Sequence, residues 1–362
     1  MVDDDQRVRR RSAMIAASSL GAVAVLLVVI LLSIDVGDAP GPDTLAPTTT
    51  PVATTRVPDT GPAIDYTPTE PRTTPAKDTT TTMVTNIPLD QSILVASPTG
   101  ISTVVGTSST SIDSGSWVVA LRLSDGSLVA QSVWPGYQQP GDSTIYRVVD
   151  GVASPLITPA DPNNEWLRLH DVVFEGGVDR ILYSEKSGVG FDQAIEELFL
   201  VDASGANEVA LGVIGDWETG PDRLSIGGGF VAGETWTQIE RSPLLLDRQG
   251  NRLDGSRFGL SQGYSDCAVC PKTFTVDETG TRLAWVEDDR VVVIDTATAT
   301  RVAEFSLTSG LGDHVDSLQL GRDTVIVNAY DPATGVLGRP YLYGFDGTST
   351  QLPVIGWASY DR

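Results

Sequence analysis

The chain is expected to be all-β, a β-propeller of about six four-stranded blades preceded by one transmembrane helix and a disordered linker. Five blades is the alternative count. Three observations predict this. A strand ending in a turn returns six times at nearly even spacing. A second strand pair recurs between the copies. A charge-free apolar run and a Thr/Pro-rich stretch precede them all.

The recurring strand-turn units read ILVASPTG at Ile93–Gly100, IYRVVDG at Ile145–Gly151 and LFLVDASG at Leu198–Gly205. They continue as PLLLDRQG at Pro243–Gly250, VVVIDTATAT at Val291–Thr300 and YLYGFDGTS at Tyr341–Ser349. The turns begin at Pro98, Asp150, Asp202, Asp247, Asp295 and Asp346, so the steps are 52, 52, 45, 48 and 51 residues. Such a period, with several short strands in each, is the mark of a propeller.

Before five of the six units lies a strand, a Gly/Asp turn and another strand. These are ALRLSDGSLVAQSV at Ala120–Val133, DVVFEGGVDRILYSE at Asp171–Glu185 and DRLSIGGGFVAGE at Asp222–Glu234. The last two are TFTVDETGTRLAWVE at Thr273–Glu287 and DSLQLGRDTVIVNAY at Asp316–Tyr330. Each pair joined to its following hairpin makes a four-stranded antiparallel meander. The first copy lacks an inner pair, and GWASYDR at Gly356–Arg362 is long enough to add one inner strand. Joining the two ends in a sixth blade hides the open edges. The tail is too short for two inner strands, which leaves an incomplete sixth blade or a ring of five.

RLSDGSLVAQS followed by IYRVVDG resembles the TolB-like propeller repeat, in which a Ser/Asp/Gly turn precedes an apolar strand and then a strand ending in Asp. The resemblance covers roughly Ile93–Gly356. The usual Pro of the first turn is missing in every copy. The resemblance implies the fold and implies no activity, because such propellers host unrelated functions.

Ahead of the repeats, Ser12–Ile34 is uncharged and mostly Ala, Val, Leu and Ile. A helix of that length, at about 1.5 Å per residue, crosses a hydrocarbon core of about 30 Å. Arg7, Arg9, Arg10 and Arg11 precede it, and Asp35 and Asp38 follow. The positive-inside rule keeps residues 1–11 as a cytoplasmic tail and places the rest outside, with 12–34 as a signal-anchor helix. The competing reading is a cleaved signal peptide, with Gly37-Asp38-Ala39 as a small-x-small site whose next residue, Pro40, hinders a peptidase. Residues 35–88 form a stalk: Ala39–Pro88 holds 16 Thr and 10 Pro in 50 residues and has too few apolar side chains for a core. Residues 89–362 form the extracytoplasmic propeller.

The formal net charge is −23. Residues 89–362 carry 17 Lys and Arg against 37 Asp and Glu, a net of −20. Such a surface repels phosphate backbones, so no nucleic-acid partner is expected. The two cysteines, Cys267 and Cys270 in CAVCP, are expected to form a disulfide outside the cytoplasm.

In this connectivity the links between second and third strands, and the links into each innermost strand, leave from one face. They carry Trp134, Tyr137, Phe191, Trp236 and Tyr330, with Trp166, Trp217 and Tyr264 in links between blades. Exposed aromatic rings suit partner or sugar binding; the alternative is that they plug gaps between blades. Trp117 and Trp285 lie in strands and are expected in the core. Asp113, Asp171, Asp222, Asp266, Asp313 and Asp316 fall where inner strands begin, with His170 and His314 at nearly equivalent places. A carboxylate ring suits Ca²⁺, a His–Asp pair suits acid–base work, and Asp before a strand also simply caps a turn. No cofactor is expected, and no His-Glu-x-x-His or Gly-x-x-x-x-Gly-Lys-Ser/Thr motif occurs. The expected role is a non-catalytic binding or scaffolding module at the cell envelope, with an extracellular protein or glycan as partner. The rivals are a propeller enzyme acting on extracellular glycans or esters, and a purely structural envelope component. The oligomeric state is not legible.

Overall fold

In the computed structural model, residues 91–132, 143–188, 195–216, 220–221, 223–236, 241–260, 271–331, 334 and 336–361 are described. The expected tail, anchor helix and stalk lie outside them. No helix among the described residues is long and apolar enough to cross a membrane.

Among the described residues, twenty-four strands form six four-stranded sheets, a six-bladed propeller. Blade I contains β1 (Ser92–Ser97), β2 (Gly100–Val105) and β3 (Ser108–Asp113). Blade II runs outward through β4 (Val119–Arg122), β5 (Leu128–Gln131), β6 (Ile145–Val149) and β7 (Val152–Ile157). Blade III has β8 (Glu165–Glu175), β9 (Val178–Ser187), β10 (Ile195–Asp202) and β11 (Val209–Asp216). In blade IV, β12 (Gly220–Pro221) and β13 (Ser225–Gly227) together line β14 (Phe230–Trp236), followed by β15 (Arg241–Asp247). Its outermost position is reduced to the Leu246–Arg252 bridge. Blade V holds β16 (Pro271–Val276), β17 (Arg282–Glu287), β18 (Arg290–Asp295) and β19 (Arg301–Ser306). Blade VI holds β20 (Val315–Leu320), β21 (Thr324–Ala329), β22 (Tyr341–Gly344) and β23 (Ser349–Gln351). The chain ends with β24 (Trp357–Tyr360), which returns to blade I as its innermost strand.

That last pairing settles the blade count and corrects an expectation. β24 pairs antiparallel with β1, from Trp357 opposite Ala96 to Tyr360 opposite Ile93. One strand from the C-terminal end and three from the N-terminal end complete blade I. The sixth blade is therefore whole. Its unforeseen member is β3, SSTSID, which is polar and solvent-facing and so carries no apolar pattern. A second correction follows. Pro98 sits between the second and third strands of its blade, whereas the five Asp turns sit between third and outermost strands. Pro98 thus lies at the end of the blade where the longer loops leave, here the loop end, and the Asp turns lie at the turn end.

Each blade is sandwiched between two neighbours, so its middle strands are buried on both faces and read as continuous apolar runs. Val291–Ile294 are all at most 3% exposed. Six apolar clusters fill the six interfaces. Trp117 and Trp285 are both buried in them. The rim strands β3 and β23 are polar, and Pro155 in β7 removes an edge donor, both defences against edge-to-edge pairing. Glycines at 227–228 form a turn in a β hairpin because the blade V turn passes there: a Cβ on Gly228 would lie 2.0 Å from the Thr279 carbonyl oxygen. No phosphate loop is formed.

Candidate functional site

The inner strands are interrupted where they matter most. In blade III, Leu169 pairs with Tyr183 and Asp171 with Leu182, leaving His170 as a bulge residue. In blade VI, Val315 pairs with Ala329 and Ser317 with Asn328, leaving Asp316 in the same position. A bulge re-aims side chains that strict alternation would fix.

At His170 the re-aimed ring is used for structure. The Leu224 N–H donates to its Nδ1 at 3.2 Å, so Nε2 carries the proton and donates to Ser184 Oγ at 3.0 Å. Ser184 in turn donates to Glu196 Oε1 at 2.6 Å. His170, Ser184 and Glu196 are all buried. The proton direction is the reverse of that in an activated serine, where the imidazole accepts from the hydroxyl. Desolvation above all, then repulsion by Arg168 and Arg223, holds the imidazole well below its ordinary pKa and keeps it neutral. Asp171 next to it accepts from the Val172 and Ile226 amides at 2.8 and 3.0 Å. His170 and Asp171 together therefore staple blade III to the inner strand of blade IV.

The same device recurs around the ring. Gln131 binds Leu167 O and Leu169 N of blade III. Glu234 accepts from Thr273 N of blade V. Asn328 donates to Ala358 O and accepts from Ala358 N of blade I. Ser359 donates to Ala120 O of blade II.

The centre of the channel is occupied by Arg223, just ahead of β13. Its guanidinium carbon lies 4.2 Å from the centroid of the Trp357 ring. Blades IV and I are diametrically opposed in a six-membered ring, so this stack lies across the axis. Trp357 is fully buried and donates from Nε1 to Ser317 Oγ at 2.8 Å. Ser317 bonds to Asp316, whose other oxygen accepts from Tyr330 Oη at 2.8 Å. Desolvation lowers the Arg223 pKa to about 10, against the opposing pull of Asp316. Leu337, in the loop after Tyr330, packs on the cluster containing Trp357. The loop end of the channel is thus closed by a cation, an indole, a phenol and a carboxylate.

The other expected site residues are placed as follows. Tyr330 is 41% exposed at this mouth. His314 closes a short 3-10 turn, Gly312–His314, and its carbonyl accepts the Tyr330 amide. It sits in blade VI, across the ring from His170, and precedes its inner strand, whereas His170 lies within one. Asp313 projects to solvent, with Lys272 at 2.9 Å holding its carboxyl below the usual range. Asp113 accepts from the Gly115 amide and from Trp117 Nε1. Trp236 ends β14 opposite Arg241, at the loop end. Trp166 lies in β8, within a strand and not in a link. Trp134, Tyr137, Phe191, Trp217, Asp222, Tyr264, Asp266, Cys267 and Cys270 lie outside the described residues. Among the described residues, no three His, Cys, Asp or Glu side chains cluster closely enough to hold a metal ion.

Two features escaped the sequence reading. Arg223 has no local motif; a lone Arg in DRLS gives no sign that it spans the channel. Residues 259–263 read GLSQG, a Gly-x-Ser-x-Gly spacing. A nucleophile elbow needs a strand before the serine and a helix after it. Here Gly259 ends a 3-10 turn, Gly255–Phe258, and Ser261 lies outside the described residues.

No family profile matches the chain, and no curated protein sequence matches it. Solved structures do. A chain of the nidogen/laminin complex matches with a TM-score of 0.50 at 12% identity, covering 75% of this chain and 98% of that one. Oligogalacturonate lyase in complex with manganese matches at 0.45 and 10%, covering 70% of each chain. A candidate TolB from Agrobacterium tumefaciens matches at 0.43 and 11%, covering 72% of this chain and 87% of that one. The likeness is one of fold: the chain is a six-bladed β-propeller whose structural neighbours include TolB-like and other propeller proteins.

Proposed function

We propose that this chain is a single-pass envelope protein whose extracytoplasmic propeller binds or scaffolds a protein or glycan without catalysis. Residues 12–34 anchor it, residues 35–88 hold the propeller off the membrane, and the loop end carries the partner surface. The observation that supports the non-catalytic reading is the use of His170: both ring nitrogens are committed to the blade framework, one to a backbone amide and one to Ser184. Asp171 beside it accepts the Ile226 amide of the neighbouring blade. The loop end offers an aromatic surface, with Tyr330 exposed and Trp236 at the end of β14; Trp134, Tyr137 and Phe191, which lie outside the described residues, are proposed to add to it.

Protease added to intact cells should remove the propeller, and untreated protein should fractionate with membranes. A soluble mature form beginning near Pro40 would show a cleaved signal peptide instead. Alkylation of the same material without reduction should leave Cys267 and Cys270 unlabelled. Trp134→Ala and Trp236→Ala should weaken retention on a glycan array or on extracellular-protein beads at least 10-fold without changing the thermal midpoint. Unfolding of these variants would mark the rings as packing residues. Labelling by a fluorophosphonate that Ser261→Ala abolishes would overturn the non-catalytic reading.

A further inference from the structure

At the turn end, between blades III and IV, lies a cleft of about 350 Å³, lined by Glu175, Gly176, Arg180, Leu200, Val209, Arg248 and Gln249. The register explains how it forms. Arg180 pairs with Val173 and Asp202, and Leu200 with Leu182 and Val209, so these side chains share the face of blade III that looks at blade IV. Arg248 and Gln249 come from the outer turn of blade IV, directly after Asp247. That turn has no outer strand beyond a single bridge, which leaves the space open.

Two guanidinium groups therefore face one cleft, in a domain that is otherwise acidic. Arg248 Nη2 reaches Glu175 Oε2 at 3.3 Å, with the two side chains 15% and 45% exposed. Arg180 Nε is 3.5 Å from Asp202 Oδ1, beyond a good hydrogen bond. Nε and Nη1 of Arg248 and Nε of Arg180 are buried and have no hydrogen-bond partner among the described residues. Buried donors left unmade are destabilising, and charged ones most of all. Desolvation lowers the Arg248 pKa; the pull of Glu175 opposes it, and Arg180 adds a smaller repulsion. An oxyanion between the two arginines would accept single charge-assisted hydrogen bonds from these donors; Nη2 of Arg248, which both of its two-pronged pairs require, already faces Glu175.

The walls narrow the choice of anion. Leu200 is buried at the back, and Val209 at the rim is 45% exposed. Val178, two residues before Arg180 and on the same face, is 42% exposed. Glu175 and Asp202, whose Oδ1 is buried beside Arg180 without a hydrogen bond, add two negative charges that disfavour a dianion more than a monoanion. The cleft is at the small end of ligand sites. We propose that this cleft binds a monocarboxylate carried on a short aliphatic stem, with Arg180 and Arg248 holding the carboxylate and Leu200 and Val209 covering the stem. The site lies at the opposite end of the blades from the proposed partner surface and does not depend on it.

The test uses the full chain in detergent at low salt, titrated calorimetrically with isovalerate, isovaleramide and inorganic phosphate. Saturable isovalerate binding is expected, with isovaleramide silent and phosphate weaker. Arg248→Gln and Arg180→Gln should each weaken isovalerate at least 10-fold. If either variant fails to fold, Val209→Trp, at an exposed position, decides by filling the cleft and should weaken binding as much. Absent saturation, phosphate binding more tightly than isovalerate, or equal affinity in the folded variants would each overturn the proposal.

Discussion

Trp357→Ala should destabilise the propeller by about 3–5 kcal/mol, the range for truncating a fully buried Trp. The ring is 0% exposed and belongs to the cluster between blades II and III as well as to the innermost strand of blade I. Its loss also removes the surface under Arg223, a stack worth about 0.5–2 kcal/mol. The guanidinium would then sit over a cavity, near the Arg168 charge that already disfavours it. Trp357→Phe separates these effects. It keeps an aromatic ring under Arg223 but loses the bond to Ser317 and part of the indole's volume, so an intermediate loss of about 1–3 kcal/mol is expected. Denaturant titration of both variants checks this. A loss under 1 kcal/mol for Trp357→Ala would show that the channel is not closed by this residue.

The second large effect is acid sensitivity through His170. Its folded pKa is depressed, by burial first and then by Arg168 and Arg223, while the unfolded value stays near 6.5. The unfolded chain therefore binds a proton that the folded chain refuses. The stability from keeping the ring neutral is fully present above pH 6.5 and is lost as pH falls toward the folded pKa. The slope is at most about 1.4 kcal/mol per pH unit between the two pKa values. Protonation would also place a donor at Nδ1 against the Leu224 amide. The groups around the ring (Ser184, Glu196, Asp171, Arg168 and Arg223) remain in His170→Gln, so their contributions subtract out. Stability measured against pH should be flatter by that slope in the variant. Parallel curves would remove His170 from the account.

What was legible in the sequence is what is local. The Asp turns are written in short-range chemistry: Asp247 accepts from the Gln249 and Asn251 amides, and Asp295 from those of Ala297 and Thr298. Each fixes a turn within a few residues, so the period could be read directly. The strand pairs were legible because both faces are buried and apolar runs survive. β3 was missed because an outer strand made of Ser and Thr looks like a loop. Pro98 was put at the wrong end because strand and turn look alike wherever they sit in a blade, and only the distant β24 decides which strand β1 is. The channel mouth was half legible. Tyr330 and Asp316 are close in the chain and their region was singled out. Arg223 and Trp357 meet only because the ring closes, and no window of sequence contains both. His170 and Asp171 were singled out as chemistry; their hydrogen bonds place them as staples.

The closure of blade I also sets an order of events. The hydrogen bond between Ser92 and Asp361 joins residues 269 positions apart. At about 5–20 residues per second, a ribosome delivers Trp357 roughly 13–55 s after β1. Throughout that time β1 has an apolar face and an unpaired inner edge, and among the described residues only β24 pairs with that edge. Neighbouring blades can form as soon as each hairpin is complete, but the ring cannot become cooperative until the final strand arrives. High sequence separation makes that last step slow. The vulnerable species in the life of this protein is therefore a nearly finished one, five blades folded and a sixth lacking its central strand, and a factor that shields a newly made copy would act best on that edge.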